Sequence, residues 1–308
     1  MNYYAWRQRH ETLHEELGPP TRRKAKPLLA KSTGKKVDAD LNSRCLNLRA
    51  ELSFRAVAMA VVATLVAAAF HLGMPSPAAT RTDRMRRVPR IVLWAWERRE
   101  DLSFIDPRQI AVADLDRTLD LSGDTVVVRP RFEPLTVPTR TVLIPVARIE
   151  IDRRSPPSLS VAQRLQTARI IAAMAASSPP GIQIDFDAIR SQRNFYRALL
   201  ADVRGRLPPS TALSITALAS WCLDDDWVAG LPVDEVVPML YRMGSDTHEI
   251  RYEFQSRGDF VPALARFSVG LSTDERLPGL GIGKRVYLFS PTGWTSEKAQ
   301  KAIDEAIR

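Results

Sequence analysis

The segment Gly181-Ile-Gln-Ile-Asp-Phe-Asp187 sets Gln183, Asp185 and Asp187 at alternate positions of an apolar run. Strand residues alternate faces, so Ile182, Ile184 and Phe186 form one apolar face and the three polar side chains form the other. Ionised carboxylates are costly to bury unless they are paired or used, so two acids on one face at a strand end mark a candidate site. The chemistry they suggest is proton transfer. An acid role requires Asp187 to hold its proton, and Asp185, two positions away on the same face, favours this by like-charge repulsion, the two titrating as a unit. The competing reading is structural, with Asp185 capping a neighbouring loop or paired with an arginine such as Arg148.

Other apolar runs end in side chains of complementary type. Trp94, Trp96 and Glu97 close the first, Arg148 and Glu150 the third, Ser220 and Trp221 the fifth, Tyr241 and Arg242 the sixth, and the last leads to Trp294. Aromatic rings beside acids suit a sugar cleft, because the C–H face of a pyranose packs on a ring while its hydroxyls take polar partners. A single tryptophan is more often core, so the weight lies in their common location. Glu150 is the candidate second carboxylate if two acids share the chemistry.

Several other chemistries are pruned. From residue 91 onward the chain holds one histidine, His248, which excludes a multi-histidine metal site; a Ser-His-Asp triad would have to use His248 and is not the expected chemistry. Gly279-Leu-Gly-Ile-Gly-Lys284 lacks the Walker spacing and the hydroxyl residue after its lysine, and reads as a turn. No metal and no cofactor is expected. The formal net charge of +9 divides unevenly: residues 1–90 hold 17 Lys/Arg against 7 Asp/Glu, and residues 91–308 hold 27 against 28. A nucleic-acid reader carries its positive charge on the binding domain, so nucleic acid is not an expected partner.

The elements that must position these residues are legible as eight short apolar runs: Ile91–Trp96, Gln109–Ala113, Thr141–Ala147, Gly181–Phe186, Ala212–Ala217, Val236–Tyr241, Phe267–Leu271 and Arg285–Phe289. Helical stretches separate several of them, which predicts an α/β (β/α)8 barrel with the site at the carboxyl ends of its strands. A doubly wound open sheet is the rival architecture. Ser160 and Gln163 form a capping box before Val161, Leu165, Ala168 and Ala172. Ser191 opens a second helix with Phe195, Leu199 and Val203 on one face, Asp224 caps a short one through Trp227, and Ser296 caps the last. The second crossover is irregular, because Thr125–Phe132 reads as an extra strand where a helix belongs.

The barrel is expected over residues 90–308, after a flexible basic segment (1–53), an apolar segment (54–73) and a linker (74–89). The run from Ala56 to Gly73 is about the minimum that spans a bilayer. It reads as a transmembrane anchor with the barrel in the periplasm. A signal peptide cleaved near Ser76 and Ala78 is the competing reading. Cys45 and Cys222 fall on opposite sides of that segment, so no disulfide framework is expected.

Leu93-Trp-Ala-Trp-Glu-Arg98, Ala147-Arg-Ile-Glu150, Gln183-Ile-Asp-Phe-Asp-Ala188, Leu213–Cys222 and Val233–Gly244 resemble the bacterial proteins of domain-of-unknown-function family 3142. More distantly the chain is similar to family 18 glycoside hydrolases, the chitinase-like barrels, whose fourth strand ends in Asp-x-x-Asp-x-Asp-x-Glu and whose sixth carries Met-x-Tyr. That resemblance implies Asp187 in the place of the general-acid glutamate, Asp185 as the central aspartate and Tyr241 as the tyrosine. It departs at Pro180 and Gln183, which stand where the first two aspartates belong, and in an acid one methylene shorter. The implied partner is a polysaccharide or oligosaccharide, hydrolysed or only bound. The resemblance thus implies Asp187, Asp185 and Tyr241 as catalytic groups; strand-end position adds Glu150 to them if the mechanism is not substrate-assisted, and gives Trp94, Trp96, Glu97, Arg148, Gln183, Trp221, Arg242 and Trp294 as substrate-binding.

Overall fold

The computed structural model describes residues 84–223, 226–243, 247–257, 259–275 and 280–307. The expected N-terminal segment, the apolar segment 54–73 and the linker up to residue 83 lie outside the described residues, as does Asp224. No helix among the described residues is long and apolar enough to cross a membrane.

Eight parallel strands close on themselves: β1 (Ile91–Ala95), β3 (Ile110–Ser122), β6 (Leu143–Ile151), β7 (Gly181–Asp185), β8 (Ala212–Leu218), β9 (Glu235–Met239), β10 (Ser268–Ser272) and β11 (Arg285–Phe289). β1 pairs with both β11 and β3, which completes the circle and excludes the open sheet. All eight expected runs are strands. Among the described residues, α-helices follow β6, β7, β9 and β11: α1 (Val161–Ala173), α2 (Arg193–Arg204), α3 (Thr247–Arg257) and α4 (Ser296–Ile307).

The irregular second unit takes the expected form. β3 runs well past its barrel pairing with β1, and its far half pairs antiparallel with β4 (Thr125–Pro130) while β6 continues along its other side. Gly123, at φ +49°, makes the turn between β3 and β4. β2 (Glu100–Asp101) and β5 (Leu135–Thr136) form a separate two-stranded ribbon. A three-stranded wall, β4–β3–β6, thus extends beyond the carboxyl end of the barrel, where a regular unit would have placed a helix.

Ser160 caps α1, its hydroxyl accepting from Gln163 N at 3.2 Å. Gln163 answers from one residue further back, its Oε1 accepting from Leu159 N, while its Nε2 donates to the carbonyls of Gly123 and Thr125. This buried amide locks α1 to the β3–β4 turn. The helix buries a different face from the expected one. The buried face is Gln163, Thr167, Ala168 and Ile171, and Val161, expected on the apolar face, is 59% exposed. α2 buries Phe195, Leu199 and Val203 as expected, together with Tyr196 and Leu200, each apolar side chain contributing about 1.5–3 kcal/mol. The helix is entered through a 3-10 turn (Arg190–Gln192) whose flanking residue is Ile189, so Ser191 does not cap it. For α4 the capping side chain is Thr295, which accepts from Lys298 N, and not Ser296.

Residues 84–89, assigned to the linker by composition, are bonded to the amino-terminal pole of the barrel. Arg84 reaches Asp234 at 2.6 Å, and Arg285 donates to the carbonyls of Met85, Val88 and Pro89. Inside the barrel a polar network rises from that pole. Glu235, 2% exposed, accepts from Ser214, Ser268, Arg285 and Tyr287. Ser214 also accepts from Gln183 Nε2 at 3.2 Å.

Candidate functional site

On β7, Gln183 and Asp185 point into the barrel as strand alternation requires, and the neighbouring registers set their partners. Asp185 lies opposite Arg148 of β6, and Gln183 opposite Ser214 of β8. Gln183 is fully buried and accepts from Trp94 Nε1 at 2.8 Å. Gly270 makes room for that indole, since a Cβ there would come within 2.9 Å of it. The structure therefore places Trp94 and Gln183 in the barrel core beneath the mouth, with their polar groups satisfied by each other and by Ser214. They support the site and do not line it.

One layer up, toward the carboxyl end, Asp185 is held on both oxygens. Thr216 Oγ1 donates to Oδ1 at 2.6 Å, and Arg148 Nη1 donates to Oδ2 at 3.2 Å. Arg148 Nε donates to Glu150 Oε1 at 2.8 Å, and Glu150 Oε2 accepts in turn from Arg129 Nη2 at 3.3 Å. Arg129 continues to Asp120 at 2.5 and 3.1 Å. Charges of alternating sign thus run across β4, β3, β6 and β7. Burial works against the Arg148 charge, but Asp185, Glu150 and Asp187 outweigh it and raise the guanidinium pKa. The pairing of Asp185 with Arg148, offered by the sequence as the structural alternative, is present. The two aspartates are not a bare repulsive pair, because a cation lies within reach of both.

Asp187 lies further out than this lattice and acts on Arg148 electrostatically. It lies beyond the last residue of β7, at the centre of a tight turn in which Ala188 N donates to Phe186 O at 2.8 Å, and it is half-buried where Asp185 is 6% exposed. Tyr241 is near both acids. Burial pushes its hydroxyl well above the ordinary tyrosine range, and Asp185 and Asp187 push the same way against Arg242. Tyr241 therefore keeps its proton, and its hydroxyl donates to Met239 Sδ at 3.5 Å.

An aromatic wall continues from Tyr241. Phe289 stacks on it with centroids 5.8 Å apart at 8°, and Trp96 meets Phe289 edge-on at 6.4 Å while lying 5.4 Å from the Arg148 guanidinium carbon. Trp96 and Phe289 are half-buried, so each keeps some surface at the mouth. Arg242, at φ +54°, lies over the Phe289 ring at 5.6 Å and pairs with Asp274 at 2.7 Å. Glu97 is half-buried and acts on Arg129 electrostatically.

The structure thus brings together Asp185, Asp187, Glu150, Tyr241, Arg148, Trp96 and Arg242. It does not bring Trp221 or Trp294 to the same surface. Trp221, 1% exposed, packs against Trp227 at 4.8 Å under Arg193. Trp294, 7% exposed, donates from Nε1 to the Trp94 carbonyl and from its main chain to Glu100, fixing the end of β1. Thr216, Phe289 and Arg129 were missed. Inward alternation on β8 and β11 was the available signal for the first two. Arg129 gave none, because the register of the β3–β4 hairpin is what brings it to Glu150.

The chain is similar to the chitinase domain of the spore coat protein CotE from Clostridium difficile, with 17% identity and a TM-score of 0.35 over 51% of each chain. It is also similar to the Bacillus cereus spore cortex-lytic enzyme SleL, with 16% identity and a TM-score of 0.40, covering 59% of this chain and 50% of that one. The chain spans about half the length of each. No family model matches the chain and no curated protein matches it, so the resemblance to family 3142 rests on its motifs.

Proposed function

We propose that the barrel acts on a glycan at its carboxyl-terminal mouth, with Asp187 as the single acid of a glycoside hydrolysis. The observation that carries this reading is the division of labour among the carboxylates. Asp185 and Glu150 are buried and each accepts directly from Arg148, whereas Asp187 is half-buried in the turn that follows β7 and acts on Arg148 electrostatically. A single half-buried acid does not suit a two-carboxylate mechanism, so Glu150 is not given the part of second carboxylate. A single acid suffices when the substrate's own acetamido oxygen attacks the anomeric carbon. Asp187 then gives its proton to the leaving glycosidic oxygen as that C–O bond breaks, and takes one back from the water that opens the cyclic intermediate. Asp185, fixed by Thr216 and Arg148, and Tyr241 orient the acetamido group. Trp96 and Phe289 supply aromatic surface for the sugar face.

A second reading, glycan binding without turnover, is favoured by Arg148. Its direct bonds to Asp185 and Glu150 and its attraction to Asp187 make a charged, hydrogen-bonded frame of the kind that holds a polar ligand in place. The envelope setting, with residues 54–73 in a membrane and the barrel in the periplasm, belongs to the proposal and rests on sequence alone. A reporter fused after Arg308 that is active only in the cytoplasm would overturn it. Incubating the full chain with N-acetylhexosamine glycans separates the two activities. The enzyme reading expects turnover that Asp187→Asn abolishes while binding persists, and the receptor reading expects binding with no turnover in the parent.

A further inference from the structure

The amino-terminal pole, opposite the mouth, carries a surface for which the proposed activity has no use. Three segments lie side by side there. Val286 N donates to Arg90 O at 2.7 Å, Arg285 N donates to Phe267 O at 2.8 Å, and the Arg90 side chain reaches Lys284 O at 3.2 Å. Residues 84–90, 266–267 and 280–285 together carry seven arginine and lysine side chains and no acidic one, although the chain from residue 91 onward is charge-balanced.

Three of these cations are neutralised by acids: Arg84 by Asp234, Arg285 by Glu235 and Lys284 by Asp259. Arg87, Arg90 and Arg266 are exposed and, among the described residues, donate to main-chain carbonyls, which direct a guanidinium without cancelling its charge. The same segments carry two apolar tips. Phe267 is 54% exposed, and Ile282, 61% exposed, projects from a turn between Gly281 and Gly283, the latter at φ +78°. Isolated exposed apolar side chains are ordinary on a protein surface. Here both belong to segments whose own side chains include seven cations and no acid, Asp259 facing them through Lys284.

We propose that this pole docks on an anionic lipid surface, with Phe267 and Ile282 entering the interfacial region and Arg87, Arg90 and Arg266 meeting the headgroups. Cations near an anionic leaflet and apolar side chains at its boundary are the two contributions that hold peripheral proteins there. A nucleic acid would match the charge but offers nothing to the two apolar tips. Docking by this pole turns the mouth away from the bilayer. The inference stands on the barrel alone and requires neither the hydrolytic reading nor residues 54–73.

The test uses the full chain with Cys45→Ser, so that a cysteine introduced by Ile282→Cys carries an environment-sensitive fluorophore, Cys222 being buried. Val128→Cys, on β4 in the wall beyond the carboxyl end of the barrel, is the reference position. On vesicles containing phosphatidylglycerol the label at 282 is expected to shift to the blue and to be quenched by spin-labelled lipid, whereas the label at 128 is not. Neutral phosphatidylcholine vesicles, on which residues 54–73 can insert equally well, should give a much smaller shift at 282 than the anionic ones, and equal shifts on the two would overturn the proposal. Arg87→Gln and Arg90→Gln are each expected to lower the ratio of docked to undocked chain by about fivefold, and both together by about twenty-five-fold. A label at 282 that stays as water-exposed as that at 128 on anionic vesicles overturns the proposal. So does a response at 282 to duplex DNA but not to lipid.

Discussion

Arg148 donates to Glu150 at 2.8 Å and to Asp185 at 3.2 Å, so one buried guanidinium is shared by carboxylates of two adjacent strands. All three side chains are at most 9% exposed. Removing one partner of such a group leaves buried charge uncompensated, at a cost of about 3–5 kcal/mol. Arg148→Met should therefore lower the free energy of unfolding by that amount in a urea titration. Adding Glu150→Gln and Asp185→Asn to the same chain should recover part of the loss. No recovery would mean that Arg148 acts through packing and not through charge.

The outer end of the same lattice should behave differently. Arg129 is 43% exposed where it meets Asp120 and Glu150, and exposed pairs contribute only about 0.2–1 kcal/mol. Arg129→Gln should change unfolding by less than about 1 kcal/mol, with the remaining effect screened by salt.

At the amino-terminal pole, Glu235 gathers four donors at 2% exposure. Glu235→Ala strands Arg285 and should cost about 3–5 kcal/mol in the same titration. Ligand affinity at the opposite end should be unchanged once the variant is measured below its melting temperature.

Asp114 offers a test of pH dependence. Burial, with a smaller push from Asp116 and against Arg131, raises its pKa to about 6, and its Oδ1 has no hydrogen-bond partner among the described residues. An acid whose folded pKa is raised costs stability wherever the folded form is ionised. The cost is therefore present above about pH 6 and vanishes as the pH falls toward the unfolded value near 4. Asp114→Asn should stabilise the chain at pH 8 by up to about 3 kcal/mol, each pKa unit being worth about 1.4 kcal/mol, and should do nothing at pH 4. Equal stabilisation at both pH values would contradict the assignment.

The barrel was legible because each strand is a short apolar run bounded by polar text, and the β3–β4 hairpin announced itself through Thr125-Val-Val-Val-Arg-Pro130. The length of β3 was not legible, since its far half, Asp116-Arg-Thr-Leu-Asp-Leu121, is polar on one face and becomes a strand only against β4 and β6. At the site, alternation correctly turned Gln183 and Asp185 inward. What alternation cannot supply is depth. Gln183 and Asp185 share a face, yet one sits in the core with Trp94 and the other at the level of Arg148. Asp187 escapes alternation altogether, because the strand ends at Asp185 and a turn follows. Trp221 and Trp294 follow strand ends in the sequence but pack inward, the first against Trp227 and the second against Trp94.

The central claim is that Asp187 is the acid that the mouth presents to a glycan. Its most direct measurement is the release of reducing ends from an N-acetylhexosamine oligosaccharide by the full chain, compared with Asp187→Asn, with binding followed by calorimetry in parallel. Turnover should be present in the parent and fall by about a hundredfold or more in Asp187→Asn, the scale of a lost general acid, while the affinity for the oligosaccharide stays within a few-fold. A parent chain that binds the oligosaccharide without cleaving it, or an Asp187→Asn chain that cleaves as fast as the parent, would contradict the claim.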